Sequence, residues 1–133
     1  MSEATTLNII LVDDNDIDIV VNTKLLRLAN LTENIVSFSN GPDVVTYINK
    51  NGEHLGNYLN VLLLDIQMPN VDGFEALEML NGMDGDLKSK FRIFMLSSSI
   101  DRSDIEKAEK NPDIIKVLEK PLDVYLLKRL VYA

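Results

Sequence analysis

No cysteine occurs among the 133 residues, which excludes disulfides, thiolate metal sites and a cysteine nucleophile. Histidine occurs once, at His54, in a polar stretch that offers no second ligand. A lone histidine makes a poor metal site, so His54 reads as a solvated loop residue. Basic residues are outnumbered: 13 lysines and arginines stand against 21 aspartates and glutamates, a net charge of -8. A nucleic-acid surface needs basic clusters, so no direct nucleic-acid contact is expected. Cationic ligands and basic protein patches suit this charge better. No apolar run approaches the ~20 residues of a membrane span, and no membrane insertion is expected. The start, Met1-Ser2-Glu3-Ala4-Thr5-Thr6, lacks the basic region and apolar core of a signal peptide, which makes a cytoplasmic protein the expectation. Internal repeats, low-complexity tracts and linkers are also missing.

What remains is the composition of a folded domain, 46% hydrophobic and 26% charged. The length suits one core and is short for two, so a single domain over 1–133 is expected, with its body at about 7–130. The clearest stretch is Val61-Leu62-Leu63-Leu64-Asp65, followed by Ile66-Gln67-Met68-Pro69-Asn70-Val71-Asp72-Gly73. A short apolar run closed by a turn signal reads as a strand buried on both faces. Similar runs occur at 7–12, 34–38, 91–96 and 114–118.

Helical spacing fills the intervals. Ile17, Val20, Val21, Leu25 and Leu28 recur at that spacing, with Asn15 or Asp14 as the cap. Val44, Val45, Ile48 and Tyr47 give a second helix its apolar side, with Pro42 in its first turn and Asn51-Gly52 as its stop. Residues 53–60 read as polar and irregular. Phe74, Leu77 and Leu80 face inward from a third helix, which Asn81-Gly82-Met83-Asp84-Gly85-Asp86 breaks. Ser103 and Glu106 have capping-box spacing for a helix to about Lys110, ended by Asn111-Pro112. Asp123 caps a last helix with Leu126, Leu127 and Leu130 on its apolar face. Strand followed by helix, five times over, predicts a parallel sheet with helices on both faces and right-handed crossovers.

In such a sheet, strand ends of one sense lie on one rim, where open α/β folds bind ligands. Here Asp13-Asp14, Asp65, Ser97-Ser98-Ser99 and Lys120 follow four of the five runs. Taken singly, Asp13-Asp14 reads equally as a helix cap, Asp65 as a polar strand stop, Ser97 as a turn residue and Lys120 as a solvated lysine. Their shared rim is what suggests chemistry. Clustered carboxylates repel, and a hard divalent cation such as Mg2+ relieves the repulsion. A metal, the Lys120 ammonium and the Ser97 hydroxyl could hold the three equatorial oxygens of a phosphoryl group, with Asp65 as the nucleophile that forms an acyl phosphate.

At this point the residues resemble a family. Asp13-Asp14, Asp65 with Met68-Pro69 and Asp72-Gly73 behind it, Ser97 and Lys120-Pro121 together resemble the receiver domain of two-component response regulators. The resemblance runs from about Leu7 to Leu130. It implies a flavodoxin-like (βα)5 fold with strand order 2-1-3-4-5. It further implies that Asp65 accepts a phosphoryl group from a sensor histidine kinase or phosphotransfer protein. Mg2+ would be held by Asp13, Asp14, Asp65 and the backbone carbonyl of Gln67, with Asp14 binding directly and Asp13 through water. Ser97 would be the switch hydroxyl and Lys120 the phosphoryl contact, with a cis bond to Pro121. Gln67 and Ser99 stand where family members tune dephosphorylation. Val117 occupies a position that is usually aromatic in the family and couples to Ser97, so this chain departs from the usual aromatic switch.

The expected role is a phosphoacceptor switch, not an enzyme acting on an external substrate. It catalyses only its own phosphorylation and dephosphorylation, and signals to an unidentified output partner through the face of the fourth helix, fifth strand and fifth helix. A phosphorylation-dependent dimer is compatible with this. The sequence ends at Leu130-Val131-Tyr132-Ala133 with no room for a DNA-binding output domain, which suits a stand-alone receiver; a receiver fragment of a larger regulator would look the same. Two other readings stand beside it, a Mg2+-dependent aspartyl-phosphate phosphatase or hydrolase and a receiver that binds without phosphate. The hydrolase would need a cap domain and a second aspartate at the end of Asp65's own strand. A flavin-binding protein would need a hydroxyl-rich loop after the first strand, where this chain is acidic.

Overall fold

The structure is a computed structural model that describes residues 6–99 and 101–132. Its strands are β1 (Leu7–Val12), β2 (Ile35–Phe38), β3 (Leu59–Asp65), β4 (Phe91–Ser97) and β5 (Ile114–Glu119). Its helices are α1 (Asp16–Leu28), α2 (Gly41–Lys50), α3 (Gly52–Leu55), α4 (Gly73–Met79), α5 (Gly85–Lys88), α6 (Arg102–Glu109) and α7 (Val124–Val131). All strand pairs are parallel and the order is β2-β1-β3-β4-β5, the flavodoxin-like arrangement. Among the described residues no helix is long and apolar enough to cross a membrane. The polar start at 1–5 and the terminal Ala133 lie outside the described residues.

Strand alternation divides the core in two. Leu7, Ile9 and Leu11 of β1, Val61 and Leu63 of β3, Phe94 and Leu96 of β4 and Leu118 of β5 pack beneath α1 and α7, against Leu26, Val124, Leu127 and Val131. Ile10, Val12, Leu62, Leu64, Ile93 and Met95 turn the other way, against Val44, Val45 and Ile48 of α2, Phe74, Ala76 and Leu77 of α4 and Ala108 of α6. A strand with apolar residues on both sides has to be covered on both sides, which is why the central run is so uniformly branched.

Several local expectations are corrected. Ile17, Val20, Val21 and Leu28 do not form the inner side of α1; they are exposed, and Asn22 and Leu26 are buried instead. Asn22 is inward because its side chain accepts the backbone N–H of Leu122 at 3.1 Å, tying α1 to the start of α7. Residues 53–60 are not all irregular. Asn51 ends α2 and leads straight into α3, and β3 begins at Leu59. Asn60 is tolerated inside β3 because its carboxamide oxygen accepts from Asn8 at 3.0 Å and its nitrogen donates to Leu55 O at 2.9 Å. His54 is exposed, on α3 and not in a loop, with its ring edge-on to Tyr58.

The polar segment at 83–90 holds α5, which is capped by Asp84. Met83 and Leu87 are packed against the core, and Lys88 is paired with Asp113 at 2.8 Å. Ser103 is not a cap. Asp101 lies two residues earlier and accepts the Asp104 N–H at 2.9 Å, and the Ser103 hydroxyl donates to the same carboxylate. In α7 the fully buried residues are Val124, Leu127 and Val131, with Leu126 and Leu130 half-buried beside them. Other expectations hold: Asn15 caps α1, Asn40 and Pro42 open α2, and Asp123 caps α7.

Candidate functional site

The alternation that builds the core also aims the rim. Continuing β1 past Leu11, β3 past Leu63 and β5 past Leu118 by two residues each gives Asp13, Asp65 and Lys120 on the α1/α7 side. The register sets β1 and β3 level, Val12 opposite Leu64, so the two aspartates follow side by side. Asp13, Asp14 and Asp65 each offer a carboxylate oxygen within 4.8 Å of the others. Asp13 has no exposed surface and Asp65 only 3%, while Asp14 is exposed.

Short local bonds hold each carboxylate. The Asn15 N–H donates to Asp13 Oδ1 at 2.9 Å, and the Gln67 N–H reaches Asp65 Oδ1 at 3.4 Å. Gln67 itself is exposed, two residues beyond Asp65. Behind Asp65, the capping box of Asp72 and Glu75 starts α4, and Gly73 donates its N–H to Ile66 O at 2.9 Å. A Cβ at Gly73 would run into the carbonyl oxygen of Asp65 and the Met95 side chain, so only glycine lets α4 begin this close to the strand end.

Lys120 closes the site from β5. Its backbone N–H donates to Ser97 O at 2.9 Å, and its bond to Pro121 is cis. The buried ammonium lies 2.9 Å from Asp13 Oδ2, 2.9 Å from Asp18 Oδ2 and 3.5 Å from Asp65 Oδ2. Asp18 was not among the residues expected here; it comes from the first turn of α1. Its signal was present in the sequence, three residues after the cap at Asn15, but a first-turn acid is commonplace at a helix start.

Burial, and then the charge of Asp13, push the Asp65 carboxyl up to about 7, against the pull of Lys120 and the Gln67 N–H. Burial alone would lower the Lys120 ammonium, yet its hydrogen bonds to Asp13 and Asp18 and the charge of Asp65 raise it well above the usual lysine range. One ammonium therefore does not fully offset the buried carboxylates, and Asp65 carries the excess. Three oxygen donors with uncompensated charge fit a hard divalent cation.

Ser97 is buried at the end of β4, where alternation sets it on the face of Ile93 and Met95, opposite to Asp65. Its hydroxyl donates to Ser99 O at 2.9 Å and accepts the Ser99 N–H at 3.2 Å. Ser99 is exposed. Val117 is half-buried against the α6 side of the core, in a groove with Ile105, Ile115 and Leu130.

A parallel α/β sheet in the order β2-β1-β3-β4-β5, with three aspartates, a lysine and a serine at its carboxyl rim, defines a receiver-type fold. The comparisons with known proteins agree. The model of the response regulator receiver domain matches residues 9–132, and the chain belongs to that family. A response regulator receiver protein from Dyadobacter fermentans is 35% identical, with 95% of each chain covered and a TM-score of 0.81. A two component response regulator from Cytophaga hutchinsonii is 28% identical, with 97% of this chain and 96% of that one covered and a TM-score of 0.86. The CheX-CheY-BeF3-Mg+2 complex from Borrelia burgdorferi shares the fold at 21% identity, with 94% and 86% covered and a TM-score of 0.71.

Proposed function

We propose that the protein is a phosphoacceptor switch of a two-component or phosphorelay system, phosphorylated on Asp65. The observation that carries this reading is the packing of the Asp65 carboxylate, buried against Asp13 and facing the Lys120 ammonium. An Asp65 oxygen attacks the phosphorus of a phosphohistidine on a kinase or phosphotransfer protein. The P–N bond breaks, the imidazole leaves with its electron pair and takes up a proton, and an acyl phosphate remains. Only the ionised carboxylate attacks, so the chain must hold Asp65 ionised against its burial. Lys120 does part of this. Asp13, Asp14, Asp65 and the Gln67 carbonyl are the groups that would hold Mg2+ for the rest. A bound Mg2+ supplies charge neutralisation for Asp65 and for the phosphoryl oxygens.

Lys120 then donates to one phosphoryl oxygen and the Ser97 hydroxyl to another. Ser97 can do so only by leaving Ser99 O, and that exchange is the signal passed to α6, β5 and α7. Gln67 and Ser99, both exposed beside the rim, set how freely water reaches phosphorus to release inorganic phosphate and restore the carboxylate. With Val117 in place of an aromatic, the movement of Ser97 is read by repacking of a smaller side chain. The exposed Ile17, Val20 and Val21 on α1 offer an apolar seat for the phosphodonor, next to the turn that carries Asp18. The output partner binds away from this seat, and the protein acts in the cytoplasm.

The test is intact-mass analysis with acetyl phosphate and Mg2+. One phosphate is expected on the parent and none on Asp65→Asn. Asp14→Ala is expected to bind Mg2+ at least about tenfold more weakly, a loss that even outer-sphere partners of a metal site can cause. No mass gain on the parent overturns the reading.

A further inference from the structure

The Lys120 ammonium has three N–H donors, and their partners are unequal. Two carboxylates lie at 2.9 Å, Asp13 and Asp18, and Asp65 is the farthest at 3.5 Å. Asp13 is fully buried and pinned by the Asn15 N–H. Asp18 is different. Its side chain is 36% exposed, and its backbone is fixed because its own N–H donates to the capping Asn15 at 3.1 Å. Of the three acids it alone can give up the ammonium and be solvated by water, without leaving a charge stranded in the interior.

We propose that Asp18 is a positioning residue that restrains Lys120, holding the ammonium toward α1 and away from the incoming phosphoryl group. The inference rests on the phosphoacceptor reading and concerns the same site. Two physical effects act in one direction. Asp18 competes with the phosphoryl oxygens for a lysine donor, and its negative charge stands beside the ammonium that would meet that anion. Release of Lys120 from Asp18 also loosens a contact between the rim and the first turn of α1, so the occupancy of Asp65 and the position of that turn become linked. A plain helix-start acid would stabilise α1 without affecting the rate at Asp65, and the two roles separate by experiment.

The reaction followed is transfer from acetyl phosphate. An Asp65 oxygen attacks phosphorus, the bond to the acetyl oxygen breaks and acetate leaves. The full chain is incubated with acetyl phosphate and Mg2+, and the mass gain is timed for the parent, Asp18→Asn, Asp18→Glu, Lys120→Met and the Asp18→Asn/Lys120→Met double variant. Asp18→Asn is expected to be faster than the parent on the order of fivefold, the size of one contact-level coupling. Asp18→Glu, which keeps charge and reach, is expected within about twofold of the parent. In the Lys120→Met background, Asp18→Asn is expected to change the rate by less than about twofold, because the group it restrains is gone. Equilibrium binding of the beryllium fluoride–Mg2+ complex should tighten in Asp18→Asn in the same proportion.

Unchanged or slower transfer in Asp18→Asn overturns the proposal. So does an equal acceleration with and without Lys120, which would make Asp18 a bare charge and no restraint. No phosphate on the parent removes the phosphoacceptor reading and this inference with it, whereas phosphate on the parent at the rate of Asp18→Asn removes this inference alone.

Discussion

The Ser97 hydroxyl donates to the backbone carbonyl of Ser99 at 2.9 Å and has no hydrogen bond to Asp65. The rest state of the site is therefore one in which the serine is already satisfied. Any phosphoryl group on Asp65 has to offer that hydroxyl a better acceptor than a carbonyl. A phosphoryl oxygen carries charge and qualifies.

Ser97→Ala is expected to keep the fold and Mg2+ binding and to be phosphorylated on Asp65. It should lose the response beyond β4. Amide NMR spectra of parent and variant, each with and without the beryllium fluoride–Mg2+ complex, check this. The parent should show shifts through α6 and β5, and the variant shifts confined to the rim. Equal shifts in both would remove Ser97 from the switch.

Asp65 makes the metal-free protein sensitive to pH. Its carboxyl is raised from 3.8 to about 7 by burial and by Asp13. Between those values the folded chain holds a proton that the unfolded chain has released, so stability falls as pH rises through that window. Thermal unfolding without metal is expected to show a lower Tm at about pH 8 than at about pH 5. Asp65→Asn should flatten much of this dependence and be the more stable protein at the higher pH. Mg2+ should restore the parent there, as any ligand held only by the folded state stabilises it.

Gly73 packs against the end of β3. Gly73→Ala forces a methyl group against the Asp65 carbonyl and Met95. The expected cost is about 1–3 kcal/mol, the usual range for overpacking. Urea denaturation measures it. Under the proposed function phosphorylation should slow as well, because the backbone that must yield carries Asp65.

Ile17, Val20 and Val21 of α1 are exposed beside the site. Ile17→Ser and Val21→Ser are expected to slow phosphate transfer from a protein phosphohistidine while leaving uptake from acetyl phosphate unchanged. Equal loss with both donors would mean that the substitutions damage the site and not a docking surface.

The rim was legible in the sequence because a parallel sheet turns strand order into spatial order. Once Leu7–Val12, Val61–Asp65, Phe91–Leu96 and Ile114–Leu118 read as strands, Asp13, Asp65, Ser97 and Lys120 had to share an edge. Periodicity was less informative on α1. Of the stripe it marks, Ile17, Val20, Val21 and Leu28 face water and only Leu25 packs on the core, while Asn22 turns inward to accept a distant N–H. Asn60 misled for a similar reason, since a polar strand residue is unremarkable only after Asn8 and Leu55 are known to satisfy it. Asp18 was hidden because its partner lies 102 residues away. Side-chain pairing across that distance leaves no periodic trace.

The bond between Lys120 and Asp13 joins residues 107 apart in the chain. During synthesis, β1 and β3 are complete long before β5 is made. Their aspartates can then come together only without their ammonium, an arrangement that like charges oppose. The site is complete only with β5 paired to β4, and that pairing brings in an ammonium that offsets part of the repulsion at the rim. A nascent chain that has not reached Lys120 lacks the ammonium that Asp13, Asp18 and Asp65 share. Under the proposed function, such a chain would not yet be able to receive a phosphoryl group.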